Sequence, residues 1–193
     1  GTLPDYQHHG IGILLIRRLR EAMIQRNIER LYAVYDPLDA GLGKLYFNLL
    51  GVTGIAYEIQ SYQTAELAGP SAIPVDNLRI EWMIHHPRCV SRFSHQRERI
   101  RIGDLIKRYP VIGGSETLTS ILPTVLVRIP PDFHQLKVNQ DPRALRYRMQ
   151  SRLVFKTLIQ EHHYQVVDFH SGLWNGEKHC YYQLECGADD GQT

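Results

Sequence analysis

Six residues near the front of the chain, Gln7-His8-His9-Gly10-Ile11-Gly12, lead into an apolar and basic run that continues to Arg26. The spacing predicts a glycine-bearing loop that opens a helix over residues 11–27. The first N–H groups of a helix have no internal partner and sit at the positive end of its dipole. Glycines there let the backbone approach a bulky anion. Together they make a seat for phosphate or pyrophosphate. A loop of this kind normally follows a strand, yet only six residues precede it, and the chain opens on Gly1 rather than Met. The sequence therefore reads as a shortened piece of something longer.

Behind the loop, Leu15, Ile16, Leu19, Ala22 and Met23 form a stripe at helical spacing that should face a core. Leu31 to Tyr35 reads as a short buried strand, stopped by Asp36-Pro37. Asp39 is a candidate N-cap for a helix over 40–50 that ends at Gly51. Gly41 and Gly43 weaken that helix and read either as a close approach to another group or, the favoured reading, as a frayed first turn. Strands follow over 52–62 and 78–84, with a loop over 65–76 between them. Residues 88–108 carry seven Arg and Lys against Glu98 and Asp104. They read as a solvated connection with a short strand near 99–102. A strand over 124–129, a helical turn over 132–136, and a helix from Asp141-Pro142 to about His162 come next. Leu145, Met149, Leu153, Phe155, Leu158 and Ile159 should face inward on that last helix. Two strands, 164–170 and 179–185, make a hairpin about a turn-rich 172–176 segment.

The fold class is α/β in the broad sense (α+β), with a mixed central sheet and a C-terminal strand-helix-hairpin extension. The loop with Asp36-Pro-Leu-Asp-Ala40, Leu50-Gly51, Ile73-Pro-Val-Asp-Asn-Leu-Arg-Ile-Glu-Trp82 and Arg128-Ile-Pro-Pro-Asp-Phe133 resembles the GNAT acyltransferase superfamily. The nearest likeness is to a subgroup of predicted acetyltransferases with a C-terminal extension. The resemblance divides the chain into four parts. Residues 1–86 would be the rear half of an acyl-CoA-binding core, and 87–123 a basic, loop-rich connection. Residues 124–186 would be the α/β extension, and 187–193 a disordered tail. The family's front half, with the strand that receives the pantetheine arm, would be absent.

The resemblance implies acetyl transfer from acetyl-CoA, as co-substrate, to an amine acceptor. The backbone of Gln7, His8, His9, Gly10, Ile11 and Gly12 would hold the pyrophosphate. Family positions for a helix-start Asn and a thiolate-protonating Tyr hold Ala40 and Phe47 here. Tyr46, one place away, becomes the candidate general acid. Its competing role is packing, because a one-residue shift turns a helical side chain by roughly 100°. Glu81, beside Trp82 in a strand, is the candidate general base, since desolvation would raise its pKa. The competing and favoured reading is that alternation turns it to solvent. The histidine pairs His85-His86 and His162-His163, with His170 and His179, lack ligand spacing, so no metal is expected. Cys180, beside Tyr181 and Tyr182 in a strand and with no His and Asp set placed for it, reads as a packed thiol.

Composition limits the alternatives. With 43% apolar and 22% charged residues over 193 positions, the chain can build a core. A net charge of +2 gives little pull on a polyanion, so the basic 88–108 stretch makes nucleic acid only a third reading. No run reaches the roughly 18 apolar residues of a membrane span. Three cysteines without disulfide or metal spacing point to a reducing cytoplasm. The second reading is a non-catalytic half-GNAT module that binds CoA or a protein. Its exposed sheet edge would invite a homodimer.

Overall fold

The computed structural model describes residues 11–59, 73–94, 100–113 and 121–187. One mixed sheet of seven strands runs through it in the order β1-β3-β2-β6-β7-β5-β4. The strands are β1 (Arg30–Tyr35), β2 (Thr53–Ile59), β3 (Asp76–Met83), β4 (Val111–Ile112), β5 (Thr124–Ile129), β6 (Tyr164–Trp174) and β7 (Glu177–Cys186). Only β4 and β5 pair parallel. Neighbours β2 and β6 meet at one bridge, Gly54 opposite Val166. The expected α+β class with a mixed sheet is what the chain adopts. Of the expected loop, tail and connection, residues 1–10, 60–72, 95–99, 114–120 and 188–193 lie outside the described residues.

Helix α1 (Ile11–Gln25) forms where the 11–27 periodicity places it, but its orientation differs. Met23 is buried and Ile16 packs against the core, while Leu15 and Leu19 are 55% and 45% exposed. Strand β1 is likewise not buried. It ends the sheet, and Leu31, Tyr32 and Val34 are exposed, because no strand lies on its outer side among the described residues.

The next helix obeys its local signals. The Asp39 carboxylate accepts from the Leu42 N–H and caps α2 (Ala40–Gly43), which continues as a π-helical segment, π1 (Lys44–Leu50). Gly51 ends it with φ +68°, its N–H donated to the Tyr46 carbonyl. A Cβ there would lie 2.8 Å from the Arg88 carbonyl oxygen, so glycine is required by space as well as by φ. Gly43 is not a frayed end. It is buried, and a Cβ would come within 2.6 Å of the Tyr182 hydroxyl.

The basic stretch is also ordered differently from the expected connection. It forms α3 (Pro87–Phe93), capped by His86 Nδ1 accepting from the Arg88 N–H, and α4 (Ile102–Arg108) in place of a strand. Ile102 and Leu105 of α4 pack on Leu126 and Tyr181, on the sheet face away from the main core. The main core lies on the other face. There Tyr35 donates to the Tyr182 hydroxyl, which donates to the Pro37 carbonyl. Burial pushes both phenols above their ordinary pKa.

Helix α5 (Phe133–Val138) is followed by α6 (Arg143–Phe155), which runs into π2 (Lys156–Glu161). Phe155, Leu158 and Ile159 face inward as expected, but Leu145, Met149 and Leu153 do not, at 46–60% exposed. In their place α6 buries Ala144, Arg148, Ser151 and Val154. Arg148 is 1% exposed and reaches Asp36 and Asp76, and Arg152 makes two bonds to Asp76 at 2.7 and 3.1 Å. The Tyr57 hydroxyl also donates to Asp76, at 2.6 Å. A buried guanidinium needs such partners, and this need sets the rotation of the helix.

Candidate functional site

The residues singled out from sequence do not converge. Gln7, His8, His9 and Gly10 lie outside the described residues. Ile11 opens α1 half-buried, and Gly12 is exposed, with no atom of the described residues within 4 Å of where a Cβ would stand. Tyr46 is half-buried in π1 and packs on Tyr35, ring centroids 4.9 Å apart. Glu81 lies on the other face of the sheet. In register, Leu31, Ala33 and Tyr35 share a face with Trp82, Ile80 and Leu78, whereas Tyr32 stands opposite Glu81 on the reverse face. There the Glu81 carboxylate accepts from the Tyr32 hydroxyl at 2.9 Å and from Arg30 at 3.2 Å. It is therefore not on the core face that the base assignment requires. The acid and base candidates are separated by the sheet.

Two cations of the 88–108 stretch have partners inside the protein. Arg92 donates to the Phe47 carbonyl and pairs with Asp168 at 3.0 Å, and Arg88 donates to the Thr53 hydroxyl. They are withdrawn from any polyanion face. The described residues contain no group of three or more His, Cys, Asp or Glu that could hold a metal ion. Cys180 is buried, and desolvation pushes its thiol up to about 11, which keeps it protonated and inert. No helix among the described residues is long and apolar enough to cross a membrane.

What the fold does assemble is a cavity of about 790 Å³ beside β6, bounded by π1, α3 and the start of α4. Lys44 and Asn48 come from π1, Arg92 from α3, Arg101 and Asp104 from the α4 entry, and Trp174 from the end of β6. The Trp174 ring lies against Gly103, where a Cβ would meet Cδ1 and Nε1 at 3.2 Å. At the floor, Arg92 is held by Asp168. His170 Nε2 stands 3.0 Å from Gln183 Oε1. The side-chain carbonyl of Asn48 is buried with no hydrogen-bond partner among the protein's described atoms. Sequence reading passed over this set, because it comes from four segments up to 130 positions apart. The one local signal was a tryptophan next to an Asn-Gly turn.

Sheet, helices and cavity define an α+β protein with an open, ligand-sized cleft at the sheet's midline. No family profile, curated protein or solved structure matches the chain.

Proposed function

We propose that this chain carries the acyl-CoA side of a GNAT-type N-acyltransferase that moves an acetyl group from acetyl-CoA to an amine in a cytoplasmic setting. The observation that carries the reading is the outer end of the sheet. Helix α1 opens on Ile11-Gly12 with room around Gly12, and the chain returns as β1, whose outer edge has no neighbouring strand among the described residues. A strand edge without a described neighbour offers backbone donors and acceptors to an extended pantetheine arm, and a helix entry offers unpaired N–H groups to a pyrophosphate. In the transfer, the amine nitrogen attacks the thioester carbonyl, the C–S bond breaks, the thiolate takes a proton, and the acceptor ammonium loses one. Positioning and oxyanion stabilisation would supply most of the rate.

The placement of Tyr46 and Glu81 on opposite faces favours a second reading, a non-catalytic module that binds CoA, or a second copy of itself along β1. Calorimetric titration with acetyl-CoA separates these. Saturable heat with release of free CoA thiol on adding a panel of primary amines supports transfer. Saturable heat without thiol release supports the module. No heat overturns both CoA readings. Gly12→Glu locates the ligand. Its side chain enters open space, and a carboxylate in the first turn favours the helix dipole by about 0.3–1 kcal/mol, so the fold stays while phosphate is repelled.

A further inference from the structure

We propose that the cavity beside β6 binds a small organic carboxylate that carries an apolar or aromatic body. This site is independent of the acyl-CoA reading, since neither α1 nor β1 lines it. Its volume of about 790 Å³ falls in the range of small-molecule sites. Two features fix the chemistry.

The first is charge. Lys44 and Arg101 line the cavity with no ion-pair partner among the described residues, whereas Arg92 is already matched by Asp168. Asp104 is the one acid among the described lining residues, which therefore carry a positive surplus. An ammonium and a guanidinium suit a carboxylate, which the guanidinium grips through two parallel bonds. The second is apolar surface. Leu49, Leu173 and Trp174 are 38%, 77% and 38% exposed, and all three line this one cavity. Inorganic phosphate would leave that surface uncovered, and a hydrocarbon would leave the charges unmatched.

The chain has two tryptophans, which supply a reporter and a control. Trp82 is buried, with its indole N–H donated to the Leu50 carbonyl, while Trp174 lines the cavity. The ¹⁵N-labelled protein is titrated with N-acetylphenylalanine, its neutral amide, and inorganic phosphate, and the two indole N–H resonances are followed. N-acetylphenylalanine should move the Trp174 resonance saturably and leave that of Trp82 in place. The amide should bind about tenfold more weakly. Lys44→Ala with Arg101→Ala should weaken the acid about tenfold and leave the amide unchanged. Both side chains are exposed, so the melting temperature reports an intact fold. No saturation by about 10 mM overturns the proposal, as do equal affinities for acid and amide, or phosphate alone moving the same resonance.

Discussion

Replacing Arg148 with Met tests whether an ion cluster, rather than a leucine stripe, holds α6 to the sheet. Met is two atoms shorter but similar in volume, so the change removes charge and hydrogen bonds more than bulk. Asp76, fully buried, keeps Arg152 and the Tyr57 hydroxyl. Asp36 keeps the Leu38 N–H on one oxygen and loses its partner on the other. Removing one member of a buried pair costs about 3–5 kcal/mol. Because Asp36 is 18% exposed and Asp76 stays paired, the cost should fall near the lower end, about 3 kcal/mol. With a urea slope of about 2 kcal/mol per molar, the unfolding midpoint should drop by about 1.5 M. Adding Asp36→Asn should recover part of the loss, since a neutral amide is cheaper to bury than a carboxylate. Leu145→Ala on the outer face, where Leu145 is 50% exposed, should shift stability by only about 0.5 kcal/mol. A loss below about 1 kcal/mol for Arg148→Met, or a Leu145→Ala cost typical of a buried leucine at about 2–5 kcal/mol, would refute the orientation of α6 argued above.

Two further perturbations probe local structure. Gly51→Ala forces a Cβ onto a positive φ and against the Arg88 carbonyl, and should cost about 2–3 kcal/mol in urea unfolding. His86→Ala removes the α3 cap and should cost about 1 kcal/mol at pH 8. That cost should depend on pH. Nδ1 accepts only when unprotonated, and burial, then Arg88, lowers the His86 pKa below its ordinary 6.5. A depressed folded pKa means that the cap's contribution is present above 6.5 and lost as pH falls through the lowered value. The stability gap between wild type and His86→Ala should therefore close on acidification, as followed by circular dichroism during denaturation. A gap that widens would reject the assignment.

Short-range chemistry was legible in the sequence. The Asp39 cap, the Gly51 stop, the strand over 124–129 and the C-terminal hairpin all follow from residues within a few positions of one another, although the hairpin strands run on through 172–174 and 177–178 and leave only Asn175-Gly176 as the turn. Asn175 and Gly176 both take positive φ, as a two-residue turn between twisted strands requires. Orientation was not legible, because it depends on partners far along the chain. Arg148 faces inward because Asp36, 112 positions earlier, and Asp76 receive it, and hydrophobic periodicity has no term for a buried guanidinium. The basic 88–108 stretch resembled a solvated linker for the same reason, since Arg92 finds Asp168 76 positions later. Strand β1 reads as buried from its apolar residues, and only the strand order reveals it as an edge.

The cavity beside β6 depends on a feature with no sequence signature of its own, the π-helical register of π1. In an α-helix the residues stacked over Lys44 are those three and four further on, Phe47 and Asn48. When the bonds run from i to i+5, the stacked neighbours shift toward four and five further on, Asn48 and Leu49. The observed burial follows the second pattern. Lys44, Asn48 and Leu49 line the cavity together, while Phe47 is fully buried and packs edge-on against Tyr182, ring centroids 5.7 Å apart. The wider register thus separates one segment into two faces, an aromatic one for the core and a mixed cationic, polar and apolar one for the cleft. An α-helical segment of the same composition would turn Phe47 toward the cleft beside Lys44. The core would then lose a ring and the cavity its exposed leucine wall.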